Sequence, residues 1–62
     1  MTFEDAMREM RLGKYVIFEG RSFPLCIVDG RICEQLPKYL EPLDSMNTCN
    51  IMRTDWKIWE RK

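Results

Sequence analysis

The first segment of the chain repeats its apolar residues at helical spacing. Four of them recur at i, i+3, i+4 and i+7, which places them on one stripe: Phe3, Ala6, Met7 and Met10. Thr2 precedes the stripe as an N-cap, and Gly13 follows it as a residue able to take the left-handed conformation that ends helices. The pattern predicts a helix over residues 3–12. So short a helix is unstable alone, so its apolar stripe must pack on another element.

Short β-branched and aromatic runs follow this helix. They predict strands at about residues 14–19, 23–28, 31–36 and 55–60. Between the second and third, Asp29-Gly30 is the sequence of a two-residue type I′ turn and predicts a tight hairpin. Its register places five residues on the sheet face that meets the helix: Phe23, Leu25, Ile27, Ile32 and Leu36.

The segment between the hairpin and the last strand has the composition of a loop. Pro37 ends the third strand, and Pro42 argues against a continuous helix or central strand over residues 38–45. Turn and cap formers follow, namely Asp44, Ser45, Asn47 and Thr48, of which Thr48 could cap one helical turn. The predicted fold class is therefore α+β. We expect a single small domain spanning residues 1–62, with one N-terminal helix packed on an antiparallel sheet of three to four strands.

The final strand carries both tryptophans. Alternation puts Trp56 and Ile58 on one face and Lys57 and Trp59 on the other. Burial statistics for large aromatic side chains assign Trp56 to the core. Trp59 is then left for a ligand or for a subunit interface.

Size and charge limit the kinds of partner. A 62-residue domain is marginal as a monomer, which favours a homo-oligomer. Ten basic and ten acidic residues cancel, so the chain lacks the positive charge with which proteins bind duplex nucleic acid. No apolar run is long enough for a membrane span, and the acidic N-terminal segment is unlike a signal peptide, so we expect no membrane partner and a cytoplasmic location.

The residues that usually carry catalysis are scarce. There is no histidine and no glycine-rich phosphate loop, and the three cysteines, Cys26, Cys33 and Cys49, form no Cys-x-x-Cys pair. We expect buried thiols without a disulfide framework, although Cys26 and Cys33 lie opposite each other in the predicted hairpin. The expectation is a protein that is not an enzyme and has no metal or cofactor.

No set of residues indicates a ligand by itself, but several side chains could contact a nucleotide, and each also has a structural interpretation. A base could stack on Trp59, with Phe23 as a second aromatic wall, although packing against the helix or a second subunit is the alternative for Phe23. Arg21, Arg31 and Arg53 stand beside turns or at strand ends, where guanidinium groups could grip phosphate, or could be solvated surface charges. Asp55 could accept from a ribose hydroxyl or cap the preceding turn.

Two stretches resemble a family of small phage proteins, the Thoeris anti-defence protein two family. One is Phe3-Glu4-Asp5-Ala6-Met7 through Gly13-Lys14-Tyr15-Val16, and the other is Ile51-Met52-Arg53-Thr54-Asp55-Trp56-Lys57-Ile58. They cover 22 of the 62 residues. The family usually has an arginine and then a tryptophan after its first strand, where this chain has Phe18, Glu19, Gly20 and Arg21.

The resemblance implies a function. Members of that family are oligomers that sequester cyclic nucleotide messengers of bacterial immunity without hydrolysing them. For this chain it implies a self-associating protein that binds a nucleotide-derived signalling molecule in the cytoplasm of a host cell. The alternative is a small inhibitor or adaptor that binds a host protein through an exposed strand edge and the apolar residues of segment 38–52.

Overall fold

One helix packs on an antiparallel sheet, as the sequence predicts, but the sheet has five strands instead of three or four. The structure, a computed structural model, describes residues 1–43 and 46–60, so Asp44 and Ser45, predicted to form a turn, lie outside the described residues. In chain order the elements are α1 (Phe3–Arg11), β1 (Tyr15–Ile17), β2 (Leu25–Val28), β3 (Arg31–Gln35), β4 (Leu40–Pro42), α2 (Thr48–Ile51) and β5 (Lys57–Trp59). The strand order across the sheet is β4-β3-β2-β1-β5, and all neighbours are antiparallel.

Both ends of α1 form as the sequence indicates. The Thr2 side chain accepts a hydrogen bond from the backbone N–H of Asp5 at 3.2 Å, which caps the N-terminus. At the other end the N–H of Gly13 donates to the Met10 carbonyl and that of Lys14 to the Glu9 carbonyl, with Gly13 at φ 91°. This pair of bonds is the Schellman motif, which satisfies carbonyls that a helix end would otherwise leave unpaired. The helix ends one residue earlier than predicted.

The β2–β3 hairpin confirms the turn prediction. Asp29 and Gly30 have φ values of 52° and 77°, as a type I′ turn requires. The predicted pairs Val28–Arg31, Ile27–Ile32 and Leu25–Glu34 all form, and Cys26 lies opposite Cys33.

The shared face of this hairpin is shorter than predicted. Leu25 is buried in the core below α1, and Ile27 and Ile32 pack against it. The prediction that Phe23 and Leu36 belong to the same set is wrong, because β2 begins only at Leu25 and β3 ends at Gln35. Beyond those points Phe23 and Leu36 line a pocket described below.

Strand β4 is the main element that the sequence did not predict. It pairs with β3 at the edge of the sheet, with Leu40 opposite Gln35 and Pro42 opposite Cys33. Proline is compatible with an edge strand because one row of backbone groups there faces solvent and needs no partner strand. Pro37 and Pro42 therefore restrict the length of this strand without preventing it.

The core lies between α1 and the sheet. It consists of six buried residues, namely Ala6, Met10, Val16, Phe18, Leu25 and Trp56. Trp56 is only 1% exposed, which confirms its assignment to the core, and it packs edge to face on Phe18 with ring centroids 4.9 Å apart. Neither α1 nor α2, the two helices of the described ranges, is long and apolar enough to cross a membrane.

The cap of α2 is displaced by one residue from the prediction. Asn47, not Thr48, is the N-cap, and its side-chain oxygen accepts from the N–H of Cys49 at 2.8 Å. Asparagine is at least as good a cap as threonine, so local chemistry does not distinguish the two positions.

Candidate functional site

The face of the sheet turned away from α1, called the outer face here, carries a row of side chains across all five strands. Trp59 pairs with Tyr15, Cys26 with Cys33, and Cys33 with Pro42. The Val16–Leu25 pair sets the β1–β2 register, which puts Tyr15 beside Cys26 and completes the row. Since Ile58 packs against the core, its neighbour Trp59 lies on the outer face, as alternation along β5 predicts.

Trp59 borders a pocket at the open end of the β2–β3 hairpin, away from the Asp29-Gly30 turn. The pocket has a volume of about 230 Å³ and is lined by Ser22, Phe23, Pro24, Gln35, Leu36, Pro37 and Trp59. Trp59 and Phe23, two of the six candidate ligand residues, therefore meet at one site. The walls are mainly apolar, and the side chains in this lining that carry hydrogen-bonding groups are Ser22, Gln35 and, through its indole N–H, Trp59.

A hydrogen-bonded network holds the Gln35 side chain of this pocket in place. The Tyr15 hydroxyl donates to Gln35 Oε1 at 3.3 Å, so the tyrosine reaches from β1 across β2 to β3. Gln35 Nε2 donates to the carbonyl of Leu36 at 2.9 Å. The Tyr15 ring also lies against Trp59, with centroids 5.8 Å apart and planes tilted by 60°. Tyr15 thus positions both Trp59 and the Gln35 amide.

Arg21 lies next to the pocket but is engaged by other groups. Its Nε donates to the Phe23 carbonyl at 3.0 Å, and its terminal nitrogen forms a 2.7 Å ion pair with Glu34. Both side chains are largely buried, which strengthens the pair relative to a solvent-exposed one. Arg21 therefore anchors the backbone of a pocket residue and does not present an open guanidinium group to the pocket.

Arg53 and Asp55 bind each other away from the pocket. Two hydrogen bonds of 2.8 and 2.6 Å join the guanidinium group to the carboxylate, and Arg53 also donates to the Glu19 carbonyl. The hydrogen bonds from Arg53 hold the pKa of Asp55 below its usual range, and Asp55 raises the pKa of Arg53. The guanidinium carbon lies 4.3 Å from the centre of the Phe18 ring, a cation–π contact. Both groups are therefore engaged by partners within the chain.

Arg31 lies at the far end of the hairpin. It pairs with Val28 beside the Asp29-Gly30 turn, whereas the pocket contains Pro24 and Gln35 at the other end of the same strands. Of the three arginines proposed to hold phosphate, none therefore lines the pocket that contains Trp59.

Pro24, Gln35 and Pro37 belong to the pocket although the sequence did not suggest them. The hairpin register could have found Gln35. It lies two residues after Cys33 on β3, and side chains two apart on a strand share a face, so Gln35 belongs to the outer face with Trp59. The fold of the chain after β3 brings in Pro37, and no periodic pattern encodes that.

Two of the three thiols are buried. Cys26 and Cys33 are buried at the middle of the outer-face row, whereas Cys49 in α2 is exposed, contrary to the expectation of three buried thiols. Burial, with a smaller contribution from the neighbouring Cys33, raises the pKa of Cys26. Among the described residues no group of three or more metal-ligating side chains comes together.

A second concavity runs along the outside of α1. This groove has a volume of about 510 Å³ and lies between α1 and the residues that end α2. Phe3, Met7, Ile51 and Met52 supply its apolar surface, and Glu4 and Arg11 contribute opposite charges.

Comparisons with protein-family models, curated proteins and solved structures find no match to this chain. The fold and the pocket define a small α+β domain with an aromatic concavity on the outer face of its sheet.

Proposed function

We propose that this protein is a non-catalytic binding protein that sequesters a nucleotide-derived messenger by holding its base in the pocket beside Trp59. The observation that carries the proposal is the meeting of Trp59 and Phe23 at one pocket, in which the Tyr15–Gln35 hydrogen bond holds the Gln35 side chain. Indole and phenyl rings stack on any nucleobase, and each stacked base contributes about 1–3 kcal/mol. The resemblance to phage anti-defence proteins supplies the biological setting of immune evasion.

The size of the pocket limits what one chain can hold. Its volume of about 230 Å³ is below the range of roughly 300–1,000 Å³ that is usual for drug-sized ligands. It suits one ring system and is too small for an entire cyclic dinucleotide. The rest of such a ligand would remain in solvent or would contact a second subunit.

The positions of the arginines predict how the ligand is recognised. Arg31 and Arg53 lie away from the pocket, and Arg21 is paired with Glu34. Base stacking, not phosphate binding, therefore supplies most of the affinity of a single chain. A nucleoside should bind nearly as well as the matching nucleotide, and the affinity should depend weakly on salt because few charges are neutralised.

Ligand titration followed by tryptophan fluorescence tests the proposal. The ligands to compare are cyclic dinucleotides, cyclic ADP-ribose isomers, mononucleotides and nucleosides. A change in fluorescence reports on Trp59, because Trp56 is buried and Trp59 lines the pocket. Trp59→Ala should abolish binding while leaving the fold intact, and Phe23→Ala should weaken it about tenfold, equivalent to roughly 1.4 kcal/mol.

Arg31→Ala is the matched control, since this residue is at the opposite end of the hairpin and its loss should leave affinity unchanged. If no nucleotide or nucleoside changes the fluorescence at micromolar protein, the proposal fails. A ligand that binds Trp59→Ala as tightly as the unmodified protein would place the site elsewhere.

A protein-binding function is the second candidate, and the edge strand favours it. All three residues of β4 are exposed, and β4 forms one side of the sheet. Next to it, Tyr39 is 60% exposed. An exposed strand edge can pair with an extended segment of another protein. Affinity capture from a bacterial lysate separates the two functions, because a sequestering protein retains small molecules and an adaptor retains a stoichiometric host chain. Leu40→Lys should prevent capture of a host protein and should leave the retention of small molecules unchanged.

A further inference from the structure

From the outward surface of α1 we infer that two copies of this chain associate through their N-terminal helices, antiparallel to each other and related by a two-fold axis. This goes beyond the proposed ligand site, which involves the other face of the sheet. The inference rests on a matching of charge and apolar side chains that exists only when the surface meets a second copy of itself.

The charges of α1 are separated along its axis. Glu4 and Asp5 are in the first turn, and Arg8 and Arg11 are in the last. Glu4 and Arg11 are both exposed, lie seven residues apart and therefore share one side of the helix, about 10 Å from each other at 1.5 Å per residue. Within the described part of the chain, neither has an ion-pair partner.

A two-fold axis through the middle of this side makes the surface complementary to itself. We place the axis between residues 7 and 8. In an antiparallel pair of helices, residue i of one copy then lies level with residue 15 − i of the other. Glu4 then faces Arg11 of the second copy, and the reverse pair forms by symmetry, as an isologous interface requires. The helix dipoles also run in opposite directions, which brings each acidic N-terminal turn to a basic C-terminal turn.

The same side of the helix borders apolar surface. Phe3 and Met7 line the groove of about 510 Å³ beside α1, with Ile51 and Met52 on its other wall. Ile51 is 41% exposed and Met52 is 75% exposed, so two large apolar side chains of the groove face water in one chain. A second copy that lies along this side covers both. Burial of apolar surface of this kind is the main favourable term in association.

A second copy fits this groove better than a small ion does. An anion near Arg11 would also meet Glu4, and a cation near Glu4 would also meet Arg11, whereas the second copy offers both charges in reversed order. The formal net charge of zero means that two copies do not repel each other over long distances. Because α1 and Trp59 lie on opposite faces of the sheet, this dimer leaves both Trp59 pockets open and pointing outward.

Charge reversal and charge exchange test the interface. The mass of the protein in solution should be measured by sedimentation equilibrium between about 1 μM and 1 mM, a range that covers weak and moderate dimers. Glu4→Arg alone and Arg11→Glu alone each place like charges opposite each other twice per dimer, and each should weaken dimerisation at least about tenfold. The double variant Glu4→Arg/Arg11→Glu restores opposite charges and should recover dimerisation. Met52→Asp should weaken it through loss of the apolar contact.

The controls separate loss of association from loss of folding. Each variant should keep the circular dichroism of the unmodified protein, because Glu4, Arg11 and Met52 are exposed in the single chain. Arg31→Glu, a reversal of the same kind at the hairpin turn, should not change the mass. A protein that stays monomeric across the range, or a dimer that the single reversals do not weaken and the exchange does not restore, overturns the inference. Neither result affects the nucleotide titration, since the Trp59 pocket is complete within one chain.

Discussion

The indole N–H of Trp56 donates to the backbone carbonyl of Asn50 at 3.1 Å, which ties the start of β5 to α2. The same ring is enclosed by Phe3 and Phe18, with centroid distances of 5.3 and 4.9 Å. One side chain thus joins the N-terminal helix, the residue that follows β1 and the helix α2 before the last strand. This explains why a short α2 with no buried residue of its own keeps a defined place in the fold.

The first prediction concerns Trp56. Trp56→Ala should destabilise the protein by about 3–5 kcal/mol through cavity formation. A chain of this length has only about 3–9 kcal/mol of stability at roughly 0.05–0.15 kcal/mol per residue. The variant should therefore lose a large part of its stability, and all of it if the unmodified protein is at the low end of that range. Trp56→Phe keeps most of the ring packing but loses the hydrogen bond to Asn50, and should cost less. Urea unfolding followed by circular dichroism measures both.

Trp59→Ala is the matched control for this experiment, because Trp59 is on the outer face and not in the core. It should leave the unfolding midpoint much closer to that of the unmodified protein than Trp56→Ala does. If Trp59→Ala unfolds the chain and Trp56→Ala does not, the assignment of the two tryptophans to opposite faces is wrong.

The second prediction concerns acid stability. Because the hydrogen bonds from Arg53 lower the pKa of Asp55 in the folded state, the Arg53–Asp55 pair contributes stability above the ordinary aspartate pKa. That contribution is lost as pH falls through the lowered pKa of the folded state. An NMR titration of the Asp55 carboxyl carbon should give a midpoint below that of an aspartate in an unstructured peptide. The effect on stability should be small because the pair is solvent-exposed.

Asp55→Asn should remove this part of the acid sensitivity. A comparison of unfolding curves for the variant and the unmodified protein from neutral pH down into the acid range isolates the contribution. A midpoint for Asp55 at or above the peptide value would contradict the ion pair.

The third prediction concerns thiol reactivity. The thiolate is the nucleophilic form, so burial that raises the pKa of Cys26 also slows its alkylation at neutral pH. Cys49 is exposed and should react first with iodoacetamide, giving a single adduct by mass spectrometry of the folded protein. Denaturant should then allow three adducts. Cys49→Ser is the control and should remove the fast adduct alone. Rapid labelling of Cys26 in the folded protein would mean that the outer face opens readily.

The fourth prediction concerns the hairpin turn. Gly30 has φ 77°, and no atom lies within 4 Å of the position that a Cβ would take, so the cost of Gly30→Ala is backbone strain and not a clash. We expect a destabilisation of about 1–2 kcal/mol, the usual cost of a left-handed non-glycine residue. Asp29→Asn should be nearly neutral since asparagine also suits a type I′ turn. Equilibrium unfolding in urea compares the two variants. If Gly30→Ala leaves the free energy of unfolding unchanged, the type I′ assignment of the turn is wrong.

Sequence patterns alone predicted the elements whose cause is local. The helical stripe ending at Met10, its Thr2 cap and its Gly13 stop are all encoded within a few residues, and so is the Asp29-Gly30 turn with the register that it imposes. Alternation along β5 likewise separated Trp56 from Trp59 correctly. Short-range backbone and capping energies determine these features, and they do not depend on what the rest of the chain does.

Tertiary structure decided the features that depend on residues distant in sequence. Strand β4 exists because β3 offers it an edge, although Pro42 argued against a strand. Arg21 and Arg53 were predicted to hold phosphate, and in the folded chain Arg21 binds Glu34 and Arg53 donates to the Glu19 carbonyl, 13 and 34 residues away in sequence. The pocket joins Trp59 to Gln35 and Pro37 across more than twenty residues of chain. Sequence spacing carries no direct signal for such contacts, because a charged side chain takes the partner that the fold brings nearest.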